Sequence, residues 1–171
     1  MASQTATFFI RATKDVGNTN AYHEKSIDLG AYVNALDKSI LKIKSVEVAY
    51  SDNTGASNTV AANSTGVAQY QLTTQSQTAL VLASDRSVIS TGRISAVNTH
   101  PASSIGGINT HDLDVGPHGW SDGFLVGVDT IFLGGSASTA FSGDVYISII
   151  LECEVVTMTQ SRAMALALSQ Q

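Results

Sequence analysis

The chain has 171 residues, enough for one domain with a core of its own, and its single cysteine, Cys153, excludes an intramolecular disulfide. Charged residues make up 13% of it, against about 25% in ordinary soluble domains. With a net charge of −5 and no Arg/Lys-rich arm, no direct grip on a nucleic-acid backbone is expected, since that needs clustered cations. A surface so poor in charge, built from Ser, Thr, Asn, Gln and Gly around 43% hydrophobic residues, leans toward burial against copies of the same chain. The opening residues lack the basic head and apolar run of a secretory signal, and nowhere do about 18 apolar residues follow one another. Neither a signal peptide nor a transmembrane segment is therefore expected.

Period-2 patterning dominates. Residues 5–12 read as a first strand, ended by the turn-rich stretch 14–20, and residues 25–33 are extended or half-helical. Over 36–50 the apolar phase slips: Leu41 and Ile43 share one parity, Val46, Val48 and Tyr50 the other. A one-residue slip predicts a β-bulge near Lys44 and Ser45. Residues 51–66 form a long polar loop, followed by short strands over 67–73, 79–83 and 87–97. The stretch 98–122, with its His, Pro and Gly residues, has no regular pattern, and loops of that length usually carry function or meet another chain. Residues 124–133 read as a further strand and 134–142 as a turn.

The last strand, over 144–158, is the clearest. Val145, Ile147, Ile149, Leu151, Cys153 and Val155 take one face, Tyr146, Ser148, Glu152 and Glu154 the other. Free of Gly and Pro, such a strand belongs in the middle of a sheet, and Cys153 on its apolar face is a buried, unreactive thiol. Beyond it, Thr157-Met-Thr-Gln160 has capping-box spacing and 161–170 predicts a short helix. Met164, Leu166 and Leu168, with the alanines between them, make that helix apolar nearly all round. Too short to stand alone, it must dock on its own sandwich or on a neighbouring subunit. Seven or eight strands without βαβ alternation give an all-β fold: a single jelly-roll-like antiparallel β-sandwich over 1–158, with a short C-terminal helix over 159–171.

His100, His111, Asp112, Asp114, His118 and Asp122 are the one cluster with chemical potential. His111, Asp112, Asp114 and His118 are the candidate metal ligands, because imidazole and carboxylate hold divalent ions and Asp112-Leu-Asp-Val-Gly116 has the alternating donors of a partial calcium loop. Their spacing matches no established metal motif, so turn formation is the preferred reading, and no metal or cofactor is assigned. No nucleophile elbow or phosphate loop occurs, so no catalytic residue is assigned and no enzyme is expected. Trp120 suits an interface anchor better than a sugar-stacking platform. Trp120, Phe124, Met164, Leu166 and Leu168 are the expected contact residues.

The stretches Ser26-Ile-Asp-Leu-Gly-Ala-Tyr-Val33, Leu41-Lys-Ile-Lys-Ser-Val-Glu-Val48, Asp129-Thr-Ile-Phe-Leu-Gly134 and Met164-Ala-Leu-Ala-Leu168 together resemble the small single-jelly-roll capsid proteins of tailless icosahedral viruses of archaea and bacteria. The resemblance implies a shell-forming subunit found in the virion and assembled in the host cytoplasm. Its implied partners are copies of itself, a second jelly-roll capsid protein and, in some members, an internal lipid membrane. The absent basic arm departs from single-stranded RNA virus shells. The expectation is thus a structural, self-assembling capsid subunit. The alternatives are a lectin-like, carbohydrate- or receptor-binding jelly roll using Trp120, Asp112, Asp114 and His118, and a cupin-like metal enzyme, which would need inward His on strands.

Overall fold

A computed structural model of the chain describes residues 6–105 and 108–171, and for 108–114 the main chain alone. Its strands are β1 (Phe8–Asp15), β2 (His23–Asp28), β3 (Ser39–Ser51), β4 (Ser64–Thr73), β5 (Val88–Asn98), β6 (Ile108–Val115), β7 (Phe124–Val126), β8 (Thr130–Ala137) and β9 (Tyr146–Thr157), followed by helix α1 (Gln160–Ser169). One sheet runs β1-β9-β3-β7 and the other β2-β8-β4-β5-β6. The antiparallel pairs nest: β1 with β9, β2 with β8, β3 with β7 and β4 with β5. A hairpin rolled in this way sends successive pairs to alternate sheets, and the cross pairs β3 with β9 and β4 with β8 close the roll. The result is a single jelly roll, an antiparallel β-sandwich to which β6 adds a fifth strand on the second sheet.

The alternation in β9 explains why it lies between β1 and β3. Val145, Ile147, Ile149, Leu151 and Cys153 are all buried, in one cluster with Tyr70 and Leu72 of β4 and Ile131 and Leu133 of β8. Each such side chain contributes about 1.5–3 kcal/mol when fully withdrawn from water. The bulge falls where the phase slip predicts: the β3–β9 register passes from Ile43 opposite Cys153 to Ser45 opposite Glu152, leaving Lys44 as the extra residue.

Four expectations are corrected. Residues 79–83 are not a strand, because the buried amide of Gln71 takes over their main chain: its Nε2 donates to Ala79 O and its Oε1 accepts from Val81 N. The irregular stretch 98–122 contains β6, an edge strand paired with β5, whose Asn and Asp residues are ones that strands generally avoid. Residues 124–133 form two strands in different sheets, β7 and β8, separated at Gly127-Val-Asp129, and β8 continues to Ala137 through part of the expected turn. The helix begins from Thr159 with no side-chain cap bond, so the capping box does not form. Residues 25–33, read as ambiguous, divide: β2 ends at Asp28, then Tyr32 and Val33 donate to Leu29 O in a single turn.

Candidate interaction surface

Antiparallel strands place alternate connections at opposite ends of the sandwich. Loops 29–38, 74–87 and 127–129 share one end with α1; loops 16–22, 52–63 and 138–145 share the other. The helix is fixed by one residue in particular. Gln170, itself buried, accepts through Oε1 from Gly127 N (2.8 Å) and donates through Nε2 to Leu125 O (2.7 Å), substituting for a sheet neighbour where β7 ends. Gly127 is small enough for this approach: a Cβ there would lie 3.0 Å from both Ala167 N and Leu166 Cγ. Ala163 is buried, and Leu166 and Ala167 are half-buried, which completes an inward i, i+3, i+4, i+7 stripe with Gln170. Met164, Ala165 and Leu168 face outward, Met164 46% and Leu168 71% exposed.

Other apolar side chains are exposed at the same end, Leu36 in loop 29–38 and Leu82 in loop 74–87. The second of these loops is held over the outer side of β2, β4 and β8. Glu24 accepts from Ser76 Oγ (2.6 Å) and Gln77 N (2.8 Å), and the Tyr22 hydroxyl donates to Glu24 (3.1 Å) while accepting from Gln71 Nε2 (2.9 Å). Burial pushes the Tyr22 phenol up to about 12, against the opposing effect of the Gln71 hydrogen bond. Beside α1, a groove of about 450 Å³ opens between Val33, Asn34, Asp129, Phe132, Ala167 and Gln170.

Trp120 and Phe124 lie elsewhere, along the side where the chain crosses between sheets. A 3₁₀ turn at Pro117–Gly119 leads to Trp120, which is 46% exposed with its ring 6.1 Å from that of half-buried Phe124. The turn is held tight against β3: Gly123, at φ +64, has Ile43 O where a Cβ would sit, a position only glycine fills. Near the bulge, Glu154 meets Lys44 (3.0 Å) and Lys42 (3.5 Å) on the outward side of the first sheet. The hydrogen bond from Lys44 holds its carboxyl below the usual range, with burial opposing and the charges of both lysines assisting.

Of the candidate metal ligands, His118 alone has its side chain among the described residues. Among the described residues, no group of three or more His, Cys, Asp or Glu is placed to hold an ion. His118 folds its ring over Gly116, and His100 closes a turn by accepting from Ala102 N and Ser103 N. His111, Asp112 and Asp114 lie on β6, with His111 opposite Ile94 and Asp112 opposite Arg93, and their side chains fall outside the described residues. The stretch read as a partial calcium loop is therefore paired strand rather than loop.

Sequence reasoning missed Gln170, Gln71 and the Lys42–Glu154–Lys44 group. Their signal was a polar residue at a position the pattern made inward-facing or sheet-central, but the partners come from distant parts of the chain.

No protein-family model matches the sequence, and no curated protein matches it. Among solved structures, the chain is similar to VP1 of Trichodysplasia spinulosa-associated polyomavirus in complex with GM1 oligosaccharide (TM-score 0.44, 10% identity, 89% of this chain and 96% of that chain). It is similar also to the unassembled pentamer of Merkel cell polyomavirus VP1 (TM-score 0.43, 10% identity, 91% and 97% covered). A third similarity is to maize chlorotic mottle virus (TM-score 0.31, 9% identity, 90% and 94% covered).

Proposed function

We propose that the chain is a structural, non-enzymatic subunit that assembles with copies of itself into the shell of a virion. The observation that carries this reading is the outward stripe Met164, Ala165 and Leu168 on a helix that Gln170 clamps to the body of the sandwich. A short helix that has already buried one face, yet presents a second apolar face to water, is suited to a neighbouring subunit. Trp120 offers a second anchor on the lateral side, at an angle to the first. A dimer closes through a single self-complementary patch, whereas a shell needs each subunit to make contacts on more than one side, which two apolar anchors suit. In this reading Trp120, Met164 and Leu168 touch the neighbour, while Phe124 and Leu166 brace them from behind. The low charge and the resemblance to single-jelly-roll capsid proteins support the same reading, with the virion as its location. Among the described residues no helix is long and apolar enough to cross a membrane.

Size-exclusion chromatography with light scattering, followed by negative-stain microscopy, tests the proposal. Oligomers and ring- or shell-like particles are expected, and Met164→Asp with Leu168→Asp should return them to smaller species without altering the circular dichroism spectrum. A monodisperse monomer persisting at high concentration would overturn the reading.

A further inference from the structure

At the end opposite α1, a cleft of about 340 Å³ opens between loop 52–63 and the start of β9. Its walls include Asp52, Ser57, Asn58, Ser142, Asp144 and Tyr146. Among the described residues no Lys, Arg or His contributes to the lining, and Tyr146 is its only aromatic side chain. Three features make it more than a gap between loops. Asp52 is fixed as an Asx turn, its Oδ1 accepting from Thr54 N (2.8 Å), Thr54 Oγ1 (2.7 Å) and Ala56 N (3.0 Å), so the wall carrying it is rigid. Asn58 ties that wall to the other by donating from Nδ2 to Asp144 O (3.3 Å). Asn58 Oδ1 is buried and has no hydrogen-bond partner among the described residues, which leaves an acceptor without a donor. An uncompensated buried acceptor is costly, so a turn of the Asn58 side chain that presents Oδ1 to a hydroxyl-bearing ligand in the cleft is favoured.

We infer that this cleft is a binding site for a neutral saccharide. Carboxylate, amide and hydroxyl groups offer acceptors and donors in the mixture that vicinal sugar hydroxyls need, and the Tyr146 ring offers an apolar face for a pyranose. The volume accommodates roughly one to two hexose units, at the lower end of the range for ligand sites. Asp52 and Asp144 repel sialic and uronic acids, and the absence of a lining cation removes phosphates and nucleotides. The scarcity of apolar lining removes most peptides. The site is distinct from Trp120 and from α1, and it does not depend on the shell reading.

Titration of the full chain with a panel of neutral mono- and disaccharides, followed by side-chain amide NMR and saturation transfer, tests the inference. At least one neutral sugar should shift the Asn58 amide. Tyr146→Ala, at a half-buried position, and Asp144→Asn, at an exposed one, should each weaken that response at least tenfold, Asp144→Asn without altering the thermal melt. Sialic acid and glucosamine are the charged arms. No response to any neutral sugar, a response confined to the charged arms, or one that survives in both variants would overturn the proposal. Particle formation in the micrographs is read separately, so the failure of one proposal leaves the other standing.

Discussion

Glu154 occupies the outward side of a central strand yet is only 4% exposed, because Lys42 and Lys44 extend across it from β3. Lys42 and Lys44, two positions apart on β3, share its outward face by ordinary alternation; the bulge gives Ser45 rather than Lys44 the place opposite Glu152, and Lys44 pairs with Glu154 beside Lys42. Since the folded carboxyl titrates below its unfolded value of 4.5, its contribution is complete above that pH and is lost as pH falls through the folded value. Both lysines are partly solvated, which keeps the group below the worth of a fully buried triad. Glu154→Gln should therefore cost about 1–2 kcal/mol at pH 7. Urea unfolding at pH 7 and pH 2.5 checks this: the gap between the two proteins should close at the lower pH. A gap that stays constant would mean that the ion pairs contribute nothing.

At the scale of elements, the helix is a test of how one polar side chain can hold a segment that its own sequence barely stabilises. Gln170→Ala leaves Gly127 N and Leu125 O unpaired at a buried junction, a loss of about 1–3 kcal/mol. Hydrogen exchange should quicken across residues 160–170 and at Gly127, while β9 and β4 keep their protection; unchanged exchange in α1 would refute the clamp. The same residue shows where the sequence was legible. The β9 alternation, the bulge at Lys44, the all-β class and the terminal helix were readable because each depends on neighbours in the chain, through side-chain parity or local propensity. The failures share one cause. Residues 79–83 look like a strand until Gln71, eight or more positions away, claims their main chain, and β6 looks like a loop because its strand character is supplied by β5. Asp52 and Asp144 were not read as one site, since nothing local connects a loop after β3 with the residue before β9.

For the molecule as a whole, the thiol of Cys153 reports on the integrity of the roll. It is fully buried between two sheets, and burial, assisted by the charge of Glu152, pushes it up to about 12. No thiolate forms near neutral pH, and no reagent reaches the sulfur without opening β9 from both its neighbours. Alkylation at pH 8 should be negligible in the native protein and rapid in denaturant, so that the labelling rate follows global opening; fast native labelling would mean that the sandwich breathes locally. The nested pairing has a further consequence for how the chain comes to exist. β9 lies inside its sheet, between β1 and β3, yet the ribosome releases it after the other eight strands of the described residues. Until then β1 and β3 have no common neighbour, and their apolar faces remain open to whatever they meet. Folding must wait for translation to pass that strand, and long-range closure of this kind is slow. The nascent polypeptide thus depends on holdase protection in proportion to its synthesis time, and a pause placed just before residue 144 would be the most damaging place for one.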